Sequence, residues 1–180
     1  MLRTSLTKSG RWLLPLLAFN LTGCGLTQSV SDGTKSAFTA VFYKKIKELH
    51  LDFTAREALN TDSRESNSLS EPLVVRVYQL KDRKTFDKMV YQQLLKEGET
   101  ILKADLLASR DVIVKPGGDA NLDMPMEAGA QFVAVVGLFR YPDMINNTWK
   151  LVVEREELDP DKARIIEAGN NHLTLMPVKE

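Results

Sequence analysis

The 180-residue chain is formally neutral, with 24 basic and 24 acidic residues, and 43% of it is hydrophobic. That balance lacks the clustered cations of a nucleic-acid binder, and a single cysteine rules out a disulfide framework. The core must therefore rest on apolar burial, which a folded part of at least ~130 residues can supply.

Residues 1–23 read as a bacterial secretory leader. Arg3, Lys8 and Arg11 precede the apolar run 12–19, which is too short to cross a hydrocarbon core of ~30 Å as a helix. Small residues then lead into the only cysteine, in Leu21-Thr22-Gly23-Cys24. This is the layout of a lipobox. The thiol takes an S-diacylglycerol group, cleavage before Cys24 frees an amine, and that amine is N-acylated. A buried cysteine after a short transmembrane helix is the competing reading, but it leaves the coincidence of apolar run, small-residue site and lone cysteine unexplained. Each buried methylene contributes ~0.8 kcal/mol, and two or more chains anchor a protein stably. Gly25 rather than Asp follows, as in lipoproteins carried to the outer membrane. Residues 24–180 hold a net charge of −3, because the leader contains three basic and no acidic residues.

Residues 24–36 are small and polar and read as a flexible tether. In 37–47, Phe38, Val41, Phe42 and Ile46 suit one face of a short helix, with an extended lead-in as the alternative. Leu49, Leu51, Phe53 and Ala55 alternate with polar residues, predicting a half-buried strand. A turn-rich stretch follows: Asn60, Thr61, Asp62, Ser63, Arg64, Glu65, Ser66, Asn67, Ser68, Leu69 and Ser70. The β-branched run 73–80 predicts a central strand. From 84 to about 109 the period becomes helical, with Phe86, Met89, Val90 and Leu94 on one face and Gly98 as a terminator between two short helices. Strands are expected again at 111–115, 121–126, 130–139, 149–153 and 171–175, with a short one around Ile165–Ile166. Pro125 points to an edge or a strand end. Seven or eight short strands with helices confined to one insertion predict an all-β sandwich for residues 37–180.

Catalytic chemistry is sparse. His50 and His172 are isolated and have no cysteine partner within the mature fold, so they read as surface residues rather than a zinc site. The acidic run 154–161 reads as a solvated face. Pro116-Gly117-Gly118-Asp119 is a turn, since the Lys-Ser/Thr of a phosphate loop is missing. The serines of 63–70 lack a nucleophile elbow. No metal, cofactor, nucleic-acid or small-molecule site is expected. What remains is binding. The 60–70 connection is long for neighbouring strands, which suits either a functional loop or a tolerated insertion.

Several stretches, in this order behind a lipobox, carry a resemblance: 72–81 (PLVVRVYQLK), Phe86 through 91–95 (YQQLL), 104–108 (ADLLA), 114–118 (VKPGG) and 139–143 (FRYPD) with Trp149 shortly after. The chain resembles the TssJ (SciN) family, outer-membrane lipoproteins of type VI secretion. The resemblance implies a transthyretin-like sandwich of two antiparallel sheets, no enzymatic activity, and a periplasmic anchor for the C-terminal region of TssM, with TssL joining indirectly. It also implies that the loop Asn60–Ser70 is the TssM contact. Within it, Arg64 is expected to fork onto a partner carboxylate and Leu69 to fill an apolar pocket. The alternatives are a pilotin or chaperone of another secretion machine, or a periplasmic hydrolase on the transthyretin-like fold. The chain end, 175–180 (LMPVKE), lacks the Tyr-Arg-Gly-Ser ending of such hydrolases.

Overall fold

Strict alternation produces the first strand. β1 (Glu48–Leu59) buries Leu49, Leu51 and Phe53 and sets His50, Asp52 and Thr54 on the opposite face. It pairs antiparallel with β4 (Asp119–Pro125) and parallel with β7 (Arg164–Asn170). β8 (His172–Leu175) completes the order β4-β1-β7-β8. The second sheet is antiparallel, in the order β3 (Leu106–Val114), β2 (Leu73–Leu80), β5 (Phe132–Gly137), β6 (Lys150–Glu154). The computed structural model describes residues 46–62, 64–66 and 68–178, all within the unit Phe38–Glu180. The leader, Cys24, the tether and residues 37–45 lie outside the described residues, as do Ser63 and Asn67.

The architecture is the expected all-β sandwich with a small helical insertion, except that its first sheet is mixed. β1 and β7 run parallel, where two wholly antiparallel sheets were expected. Strand propensity is local, but direction of pairing depends on the path between strands, and β1 and β7 are separated by the whole second sheet.

Leu49, Leu51 and Phe53 share one core with Val75 and Val77 of β2 and Val133 and Val135 of β5, all fully buried. Burying such a side chain contributes about 1.5–3 kcal/mol. The outer face of the second sheet is covered by α1 (Lys84–Lys88) and α2 (Tyr91–Leu102). Tyr78 meets Phe86 edge-to-face at 6.5 Å, and Tyr91 meets Trp149 at 5.1 Å. Burial on both faces is why β2 and β5 read as almost unbroken apolar runs. Lys150 Nζ donates to the carbonyls of Phe86, Asp87 and Met89 at 3.3, 3.1 and 2.9 Å, satisfying the end of α1. Burial pushes its ammonium pKa down.

The helical insertion is shorter than the expected 84–109. α2 continues through Gly98 to Leu102, with a kink at Glu97 (φ −134°, ψ 17°). Gly98 is there for packing, since a β-carbon would overlap the Tyr78 hydroxyl. Residues 106–109 belong to β3, where Leu106 pairs with Leu80 across a bulge. β4 is an edge strand ending at Pro125, as the proline predicted. β1 continues past Ala55 to reach Asn170 through Leu59 after a register shift.

Candidate functional site

Leaving β1, the chain turns at Asn60, which is buried and holds φ at 51°, a conformation asparagine tolerates. Its backbone N–H donates to Asn170 O, and its side-chain Nδ2 to Pro72 O at 3.1 Å. Its Oδ1 accepts from Arg140 N at 2.8 Å. Thr61 O accepts from Asn171 Nδ2 at 2.9 Å. Thus the β1–β2, β5–β6 and β7–β8 connections are tied together at one pole of the sandwich.

Asp62 organises the loop from within. It is buried, its N–H donates to Ser68 Oγ, and its carbonyl accepts from Glu65 N at 3.0 Å. Its carboxylate takes Arg64 N at 3.0 Å and the Arg64 fork at 2.9 and 2.7 Å. The Arg64 hydrogen bonds hold the Asp62 carboxyl down at about 2, well below the ordinary aspartate value of 3.8. The Arg64 guanidinium lies 3.7 Å from the centre of the Tyr141 ring, a cation–π stack. Arg64 was expected to fork onto a partner's carboxylate; its fork is made instead with Asp62 of its own loop. A two-residue separation allowed that pair, and sequence alone does not reveal the Tyr141 platform that flattens Arg64 onto it.

Beyond the fork, Glu65 and Ser66 are exposed, and Leu69 is a large apolar side chain left 75% exposed. Ser70 Oγ accepts from Leu59 N at 3.3 Å, closing the loop. Arg140 clasps it from the other connection. Its Nε donates to Asn60 O at 3.3 Å, Nη2 to Leu69 O at 3.5 Å, and Nη1 pairs with Glu71 Oε1 at 3.2 Å. Arg140 and Tyr141 were read only as part of a family signature; an Arg-Tyr-Pro-Asp turn directly after an apolar strand was the signal of a structured connection.

Elsewhere, His50 Nδ1 contacts Asp123 Oδ1 at 2.5 Å on the outer face of the first sheet, and His172 opens β8. Among the described residues no group of three or more His, Cys, Asp and Glu is placed to hold a metal. A depression of about 400 Å³ lies at the opposite end of β7, between Leu158, Arg164 and Met176. Among the described residues no helix is long and apolar enough to cross a membrane.

The model of the T6SS-SciN family, type VI secretion lipoproteins that include VasD, EvfM and TssJ, matches residues 47–175. The chain belongs to this family. A chain in the structure titled "T6SS protein TssM C-terminal domain (869-1107) from EAEC" is 44% identical, with a TM-score of 0.66, over 74% of this chain and 100% of that one. A chain in a structure titled "Type VI membrane complex" is 45% identical, with a TM-score of 0.68, over 73% and 99%. The Serratia marcescens Lip protein, described as a membrane-bound component of the type VI secretion system, shares the fold at 19% identity. Its TM-score is 0.63, over 73% of this chain and 98% of that one. Among curated proteins, none matches the chain significantly. As a TssJ-family lipoprotein, the chain is a component of type VI secretion held at the outer membrane.

Proposed function

We propose that this lipoprotein is a mechanical, non-enzymatic anchor that grips the periplasmic C-terminal region of TssM with the pole built around residues 60–71. The observation that carries the reading is the 44% identity to a chain in the structure titled for the TssM C-terminal domain. That chain is covered in full by 74% of this one, far fewer residues than 869–1107 spans. We read it as a lipoprotein sharing the structure with the TssM fragment. The likeness to a chain of a type VI membrane complex supports the same assembly, with TssL joining through TssM.

Physically, N-acyl and S-diacylglycerol chains on Cys24 fix one end of the protein in the outer membrane, and residues 24–36 give it reach. The sandwich supplies a rigid platform, and the Asp62–Arg64–Tyr141 and Arg140 contacts hold the loop ready before the partner arrives. Pre-ordering removes part of the entropy cost of docking. Confinement near a surface raises effective concentration, so modest intrinsic affinity suffices.

Because Asn60 and Ser70 are part of the fold, the test replaces only residues 64–69 with a glycine–serine linker in the full lipoprotein. Thermal unfolding is expected to be retained while capture of the TssM periplasmic domain is lost. Capture at unchanged affinity refutes the assignment.

A further inference from the structure

We propose that the partner surface extends past the β1–β2 loop onto the turn at 143–146, where Met144 and Ile145 make a second apolar contact with the same TssM region. The inference rests on the anchoring role argued above and adds a residue-level element to it.

Single exposed apolar residues on a surface are ordinary. This turn differs in three respects. First, Ile145 is 90% exposed and Met144 52% exposed, side by side. Second, they are displayed rigidly. Asp143 Oδ1 accepts from the N–H groups of Ile145 and Asn146, both at 3.0 Å, and Oδ2 accepts from Asn146 Nδ2 at 2.7 Å. Asn147, at φ 54°, closes the turn. A side chain already held in place loses little freedom on binding. Third, a groove of about 280 Å³ opens beside them, lined by Tyr91, Gln92, Arg140, Tyr141, Pro142 and Met144. The turn can insert Ile145 into a partner and receive a partner side chain in return.

Continuity joins this turn to the loop. Arg140 bonds Asn60 and Leu69, and Arg64 lies on Tyr141. Leu69, Met144 and Ile145 therefore belong to one pole. The cations there are paired within the molecule, Arg64 with Asp62 and Arg140 with Glu71, and nearby Lys150 is turned onto helix carbonyls. Among the described residues of this pole, these arginines and Lys150 are already engaged and do not form a cation cluster turned toward an anionic lipid or an acidic peptide. Apolar side chains surrounded by paired charges are the make-up of a protein interface with an apolar centre, so the occupant is an apolar patch on TssM.

The test titrates detergent-solubilised full lipoprotein with purified TssM periplasmic C-terminal domain by calorimetry. Ile145→Ser is expected to weaken binding by about tenfold or more, as truncating an interface anchor does, with unfolding temperature unchanged, and Ile145→Leu to bind like the parent. An affinity within about twofold of the parent for Ile145→Ser, with binding still lost on replacing 64–69, overturns the turn and leaves the loop assignment standing. If instead the 64–69 replacement binds normally, the anchoring site itself is misplaced and this inference falls with it. Sedimentation that shows Ile145→Ser converting a dimer to a monomer at unchanged TssM affinity assigns the turn to a second copy and also overturns the proposal.

Discussion

Replacing Arg140 with alanine separates the ordering of the loop from the stability of the fold. The side chain contributes two hydrogen bonds to Asn60 O and Leu69 O, at 3.3 and 3.5 Å, and one ion pair to Glu71 at 3.2 Å. Both hydrogen bonds are long, which puts each near the lower end of the usual range of about 0.5–1.5 kcal/mol. The partly exposed ion pair adds about 0–1 kcal/mol. Together they favour the closed loop by about 1–2 kcal/mol, a factor of about 5–30 in its population. The backbone bond from Arg140 N to Asn60 Oδ1 survives the substitution, and no core residue is touched. Arg140→Ala is therefore expected to speed amide exchange across 61–70 and to weaken TssM binding by up to that factor. The unfolding temperature should fall by no more than a few degrees. Hydrogen exchange and calorimetry on the same preparation read both quantities. Unchanged exchange in 61–70 together with unchanged affinity refutes the reasoning, because the clasp would then hold nothing.

Three other outcomes follow from the same physics. The Asp62 carboxyl sits at about 2, depressed from 3.8, so its contribution is complete above about pH 4 and is lost as pH falls through 2; a carboxyl NMR titration giving an ordinary midpoint contradicts the Arg64 fork. Gly98→Ala drives a β-carbon into the Tyr78 hydroxyl and is expected to cost about 1–3 kcal/mol in chemical denaturation, with Tyr78→Phe in the same chain restoring most of the loss. Cys24→Ser is expected to release the protein from outer membranes on fractionation, and continued membrane residence refutes lipid attachment there.

How much of this was legible in the chain varied with how local the cause was. β2 was read at its observed limits, 73–80, because a valine-rich, mostly apolar run bounded by Pro72 and Lys81 has few other solutions. The alternation of Leu49, Leu51 and Phe53 likewise predicted which face of β1 is buried. The continuation of α2 through Gly98 was not legible, since the glycine answers to Tyr78, twenty residues earlier and on a sheet. Nor was the start of β3. Leu106 and Leu107 follow a helical period, and their pairing with β2 overrides it. At the site, the loop stood out by length and polarity. Its internal Arg64–Asp62 fork and the clasp from Arg140 depend on side-chain geometry, and the clasp crosses some 80 positions of sequence. Leu69 drew notice as the loop's one large apolar residue; Ile145 sits in the 138–149 connection between the paired strands β5 and β6, which is also long, but its sequence has no feature that singles out the turn at 143–146.

The most direct test of the central claim is a hydrogen-exchange footprint of the lipoprotein with and without the TssM C-terminal periplasmic domain. Protection is expected on 61–71 and on 140–147, with the opposite end of the sandwich around 156–165 unaffected. Protection confined to that opposite end, or to the edge strands β3 and β4, would contradict the account.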